Sequence, residues 1–279
     1  MKNVIRLSQF GFLAVRGKDT RPFMQGYTTC DVEKLSDTGN TGAICNLQGR
    51  MITNFRIAEI EDGLLLRMHR SRVQDTLTFL SKYIVFSKAE LVDASGQWQC
   101  FGIIGDNAPP GPGRIQQQVN SDRFELWSQE DISEATSDAA VWQELDCREG
   151  LAWVQDITAN IYLPQMFNLH NLGGVDFAKG CYLGQEIVAR AHYRGTLKRQ
   201  LHHGVSPAAI QIGADLLRED GRNIGQVVAA APSTATQQDS WEVLAVLQNP
   251  GESPVSVQSG NGQSLEFSPF QIPGQPPMY

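Results

Sequence analysis

Between residues 41 and 69 three apolar runs are separated by two short polar turns, a pattern that commits this part of the chain to antiparallel pairing. Ala43-Ile44-Cys45 leads into the turn Leu47-Gln48-Gly49-Arg50, then a run from Ile52 to Ile60, the turn Glu61-Asp62-Gly63, and Leu64-Leu65-Leu66. Connections this short join hairpin neighbours, whereas parallel strands need a crossover of about a dozen residues or more. Gly11–Val15 reads as a strand before it, followed by Asp19 as the cap of a short helix ending near Gly26. Ser71 with Gln74 reads as a capping box opening a helix whose apolar stripe is Val73, Leu77 and Leu80. Strand-like runs follow at Ala89–Val92 and Cys100–Ile104. Pro109-Pro110-Gly111-Pro112-Gly113 is a breaker, and Asp138–Cys147 reads as a helix with Val141, Trp142 and Leu145 on one face. Strands in hairpins interleaved with helices give an α+β fold rather than a doubly wound parallel sheet.

After residue 200 the texture changes to short β-runs, Ile224–Val228, Trp241–Leu247, Val255–Val257 and Leu265–Phe267, punctuated by Gly, Pro and Ser. A domain boundary is expected near 198–203, with a β-barrel domain over 199–279. The 279 residues suffice for about two domains or three small ones. Met1–Leu7 has no apolar run of signal-peptide length and no segment approaches a membrane span, so a cytoplasmic protein with no membrane partner is expected. The five cysteines, Cys30, Cys45, Cys100, Cys147 and Cys181, stand singly, without disulfide-framework or C-x-x-C spacing. No metal site is expected: His202-His203 would point to opposite faces of a strand, and no third ligand is spaced to join them. P-loop, G-x-G-x-x-G and G-x-S-x-G signatures are also missing.

The chemistry concentrates in Lys179-Gly180-Cys181-Tyr182-Leu183-Gly184-Gln185-Glu186. Gln185–Tyr193 reads as a short helix with Ile187, Val188 and Ala191 on one face and Gly195 as its end signal, which places Cys181 near a helix N-terminus. Unsatisfied N–H groups and the Lys179 ammonium would favour a thiolate there. The alternative is that Cys181 is a small buried hydrophobe and the glycines only serve the turn. His170, in the preceding loop, is either a base approaching Cys181 or a surface histidine. A net charge of −7 argues against broad binding to a nucleic-acid backbone, yet Lys179, Arg190, Arg194, Lys198 and Arg199 oppose only Glu186 within 179–199. That stretch is either a solvated helix end or an attractor for an anion.

This octapeptide resembles the signature of the YgfZ family, folate-binding proteins that support iron–sulfur enzymes and tRNA modification and are related to the glycine-cleavage T-protein. The resemblance runs through Phe23–Val32, the turn Asn46–Arg50, Leu163-Pro164-Gln165, Asn168-Leu169 and Gly173-Gly174-Val175. It implies a three-domain ring: an N-terminal α+β domain of residues 1–40 and 115–198 intertwined with a second α+β domain over 41–114, and the barrel. It implies tetrahydrofolate or a derivative as cofactor, with Phe10, Trp142, Tyr182, Gln185, Glu186, Arg190 and Arg194 as the folate-binding set, the aromatics alternatively being core. Cys181 would be the reactive thiol, assisted by Lys179. The implied partners of a monomer are folate and iron–sulfur enzymes such as tRNA methylthiotransferase. Where the T-protein carries a pair of aspartates after its hairpin glycine, this chain has Thr53 and Asn54. Neither ionises as a carboxylate near neutral pH, so aminomethyl transfer is not expected. A folate-dependent one-carbon transferase or demethylase, and a direct tRNA-binding factor using 190–199, are the alternatives.

Overall fold

The structure is a computed structural model that describes residues 3–37, 39–105, 111, 113–136, 138–195, 197–234, 239–248, 254–260 and 262–270. In chain order the first half runs β1 (Asn3–Arg6), β2 (Phe10–Arg16), α1 (Thr20–Gln25), β3 (Thr41–Cys45), β4 (Met51–Ile60), β5 (Gly63–His69), α2 (Val73–Ser81), β6 (Glu90–Asp93) and β7 (Gln99–Ile104). It continues with β8 (Arg114–Gln118), β9 (Arg123–Ser128), α3 (Ala140–Arg148) and α4 (Gln185–Tyr193). The last part holds β10 (Gln200–Ser206), β11 (Asp215–Leu217), β12 (Asn223–Pro232), β13 (Trp241–Leu247), β14 (Val255–Ser259) and β15 (Ser264–Pro269).

The meander β3-β4-β5 forms as its turns require and is extended by β2 and β6 into a five-stranded sheet of order β3-β4-β5-β2-β6. β2 is buried on both sides and, because side chains alternate along a strand, it feeds two cores. Leu13 and Val15 pack with Phe23 and Met24 of α1 and Val73 and Leu80 of α2. Phe10, Phe12 and Ala14 turn the other way, onto Trp98, Cys100, Trp127 and Trp142. That second layer is a four-stranded sheet of order β1-β7-β9-β8. Strand pairing therefore crosses the expected boundaries at 40 and 114: β2 sits among strands of the 41–114 segment, and β7 pairs with β1 and β9.

The last six strands close an antiparallel barrel, β10-β13-β12-β11-β14-β15, beginning at Gln200. A shared core, including Cys45 and Met51 of the hairpin, Phe167, Val188 of α4, and Leu201 and Val246 of the barrel, welds it to the rest. Among the described residues no helix is long and apolar enough to cross a membrane.

Four local expectations are corrected. Asp19 precedes α1 without capping it, because its carboxylate accepts from the Lys88 N–H instead. Ser71 and Gln74 form no capping box: a 3-10 turn over Arg70–Arg72 precedes α2, and the His69 side chain caps that turn through the Ser71 N–H. On α3, Val141 is exposed and the buried face is Trp142, Glu144, Asp146 and Cys147. That face is charged because it meets other polar elements: Glu144 accepts from the Thr234 N–H at 2.8 Å and pairs with Arg148 at 2.7 Å. β8 and β9 were not expected; Gln116-Gln117-Gln118 hides the apolar alternation of β8. Apart from Gly111 and Gly113, the breaker at 109–113 lies outside the described residues.

Candidate functional site

The 176–188 segment is fastened to the α1 loop and to the β3–β4 turn. Asp176 accepts from the N–H groups of Ala178 (2.7 Å) and Lys179 (3.0 Å), which turns the Lys179 side chain inward. Its ammonium then donates to the carbonyls of Gln25 (2.9 Å), Thr28 (2.6 Å) and Cys30 (2.8 Å). Burial lowers the Lys179 pKa to about 8, opposed by the charges of Cys30, Asp31 and Asp176. The buried Tyr182 ring lies 5.1 Å from the same nitrogen, and its phenol is raised by burial. Leu183 N–H donates to the Gly26 carbonyl at 3.0 Å. Gly184 precedes α4 at φ +83°, where a Cβ would fall 2.4 Å from the Asn46 carbonyl, so only glycine lets the helix start sit this close to the turn. Cys181 lies between these anchors and is exposed, while Cys30, Cys45, Cys100 and Cys147 are buried. Burial raises those four thiols, Cys30 to about 11.

Beside this segment a cavity of about 310 Å³ opens where β3, β4, the end of β8, residues 151–153 and the 167–176 loop meet. Trp153, Phe167 and Leu169 supply apolar walls; Asn40, Asn54, Arg56 and Gln118 supply polar ones; Asp31, Lys34 and Asp176 stand together on its lining. Arg56 is buried and donates to the Gln118 carbonyl at 2.8 Å. Its Nε has no hydrogen bond among the described residues, only an ion contact of 3.3 Å to Glu125. Glu125 is the hub of a buried network. It accepts from Arg67 Nε and from Trp127 Nε1, each at 2.9 Å, and from Arg67 Nη2. The Arg67 guanidinium sits in the corner between the Phe10 and Trp153 rings, 3.9 Å from the centre of each. Contacts thus run from the buried sheet interface, through Arg67, to Trp153 on the cavity wall.

The expected site residues lie elsewhere than on the lining of this cavity. Phe10 is buried one layer behind Trp153, at 5.4 Å and edge-on. Trp142 is buried against Gly102 and under the Arg123 guanidinium, and its indole N–H has no hydrogen-bond partner among the described residues. Gln185 is half-buried at the start of α4. Glu186 and Arg190 form an exposed ion pair at 3.0 Å, and Arg194 is exposed past the helix end. None of the seven, and neither Cys181 nor Lys179, lines the cavity. His170 packs near His192, at 6.3 Å between rings, with burial lowering its pKa to about 4. Sequence reasoning missed the cavity, and the signal that could have found it is the pair Arg56 and Arg67. Arg67 follows three leucines, Arg56 lies between Phe55 and Ile57, and the two face each other in the β4–β5 register. A charge in a run buried on both faces needs a partner or a ligand.

Asn54 has a structural task. Its Nδ2 donates to the Ala152 carbonyl and its Oδ1 accepts from the Val154 N–H, both at 2.8 Å. Asn54→Asp places an anion against the Ala152 carbonyl, and a loss of about 3 kcal/mol in urea-derived unfolding free energy is expected. A variant as stable as wild type would show that this bridge is not needed.

No family model matches the chain. It is 32% identical to the tRNA-modifying protein YgfZ of Hamiltonella defensa, over 88% of this chain and 83% of that one. It is 29% identical to the tRNA-modifying protein YgfZ of Shigella boydii, over 96% and 93%. In fold it is similar to the glycine cleavage system aminomethyltransferase T from Bartonella henselae, with a TM-score of 0.74 over 98% of this chain and 86% of that one, at 14% identity.

Proposed function

The chain belongs to the YgfZ family of tRNA-modifying proteins, and on that premise we propose that it is a folate-binding accessory protein supporting iron–sulfur enzymes, among them those that thiolate tRNA. The observation that carries the folate part is the cavity beside Trp153. Its volume of about 310 Å³ is at the lower end of the roughly 300–1,000 Å³ usual for small-molecule sites. A pterin is flat, with donors and acceptors around its edge, and wants ring faces together with convergent polar groups. Trp153 and Phe167 offer the faces; Asn40, Gln118 and the incompletely hydrogen-bonded Arg56 offer the edge partners. Lys34, paired with Asp31 (2.8 Å) and Asp176 (3.8 Å), is a cation of the lining that a carboxylate tail would share with them. Cys181, exposed and outside the cavity, is the thiol that a partner enzyme would meet.

Titration calorimetry with tetrahydrofolate tests the cavity. Saturable binding by wild type is expected, weakened about tenfold or more in Arg56→Met, which removes the guanidinium donors while leaving Trp153 in place. Unsaturable binding by wild type, or an unchanged affinity in a folded Arg56→Met, would remove folate from this site. The thiol is tested in cells lacking the protein by restoring wild type or Cys181→Ala and measuring methylthiolated tRNA nucleosides. Wild type is expected to restore them and Cys181→Ala to fail. Equal restoration would make Cys181 dispensable.

A further inference from the structure

We propose that the C-terminal end of α4 is a binding surface for single-stranded nucleic acid, separate from the cavity and from Cys181. Tyr193, on the last turn of the helix, is 68% exposed. Its orientation is fixed from behind. His192 stacks on Phe177 with ring centres 3.8 Å apart and planes 11° apart, and Tyr193 stands edge-on to both, at 4.8 and 5.8 Å. A ring already held in one place loses little side-chain freedom when something stacks on it. Directly after it come Arg194, Lys198 and Arg199, all exposed. Among the described residues the one carboxylate that pairs with a cation of α4 is Glu186, and it takes Arg190. Three cations within six residues of a braced, exposed aromatic ring therefore face solvent on a protein of net charge −7.

An acidic protein surface would use the cations but not the ring, and an apolar pocket would use the ring but not the cations. A strand of unpaired nucleotides uses both, because each base has a face that stacks on an aromatic side chain and each linkage carries a phosphate. The overall negative charge keeps duplex away from the rest of the surface and confines the contact to this short patch. The binding is accordingly weak, local and salt-dependent.

The test is fluorescence anisotropy of a labelled uridine RNA of about a dozen nucleotides, and of the matching thymidine DNA, with the full chain across about 50–200 mM salt. Saturable binding is expected, with a slope of log affinity against log salt of about −2, as three phosphate contacts on a single strand imply. Tyr193→Ala weakens it about tenfold without changing the slope, while Tyr193→Phe, which keeps the ring, retains it. Arg194→Gln with Lys198→Gln flattens the slope to about −0.7. Phe86→Ser, at a fully exposed ring elsewhere, has no effect. Preference for RNA, or equal binding of both sugars, supports the proposal, the first adding a 2′-hydroxyl contact. It is overturned by no saturable binding, by a salt-independent affinity, by folded Tyr193→Ala behaving as wild type, or by a polyglutamate peptide displacing the oligonucleotide at equal concentration.

Discussion

Glu125→Gln lowers the unfolding free energy by about 3–5 kcal/mol, the scale of loss when a buried charge is deprived of its partner. Glu125 is the anion between Arg67 and Arg56, and all three are essentially inaccessible to water. Burial by itself would raise the Glu125 pKa. The two guanidiniums, Arg67 more than Arg56, with hydrogen bonds from Arg67 and Trp127, outweigh it and hold the carboxyl below its ordinary 4.5. A glutamine keeps the shape but supplies one acceptor oxygen and turns an NH₂ toward donors, so two buried cations lose their counterion. Urea denaturation measures the loss. Replacing both Arg67 and Glu125 by methionine is expected to do less harm than Glu125→Gln, because it removes a charge together with its partner. The sign with pH follows: the carboxyl binds its proton less tightly folded than unfolded, so its contribution is present above about pH 4.5 and lost as pH falls below it. Glu125→Gln, with nothing to protonate, shows a shallower acid slope. A Glu125→Gln loss below about 1 kcal/mol would mean that water or relaxation screens the site.

Lys179→Met is expected to cost about 2–4 kcal/mol by the same assay. It leaves the carbonyls of Gln25, Thr28 and Cys30 without the donor on which they converge. Lys179→Arg rescues little, since a planar fork cannot put three N–H bonds on three carbonyls grouped around a point. Wild type should also gain on Lys179→Met as pH rises. Burial places this ammonium at about 8 when folded against 10.5 ordinarily, so between those values the unfolded chain holds the extra proton and stability attributable to this group increases. A flat difference between the two proteins across that window would contradict the buried placement. Lys179 is occupied with the 25–30 loop, and hydrogen exchange at the Leu183 amide, which donates to the Gly26 carbonyl, reports whether that anchor holds.

Local signals in the sequence survived best where backbone chemistry is local. The turn at Gly49 and the helix from Gln185 to Tyr193 are found at the residues expected, because glycine at positive φ and apolar spacing act over a few positions. Val141 failed for the opposite reason: its neighbours Glu144 and Asp146 are the buried ones, and their partners, Thr234 and Arg123, are remote in sequence. The same holds for the cavity, whose walls come from residues 30 to 176 and whose polar members look like ordinary surface residues until the chain closes on them. Thr53 and Asn54 were legible as a departure from the T-protein pattern, but the bridge that Asn54 makes to Ala152 and Val154 was not. Of the two readings open for Cys181, its exposure removes the buried one.

The pairing of β1 with β7 also sets a timetable for synthesis. Residues 3–6 leave the ribosome well before residues 101–104 and find their strand partner only when those have emerged. At roughly 5–20 residues per second this is a wait of about 5–20 s. β2 meets β5 sooner but still waits for the Trp127 layer that covers its second face. The barrel, by contrast, is drawn from one uninterrupted stretch at the end of the chain. The nascent β1 strand therefore stays an unpaired β-edge while about a hundred further residues are added, and this protein is expected to depend on chaperone cover early in translation rather than late.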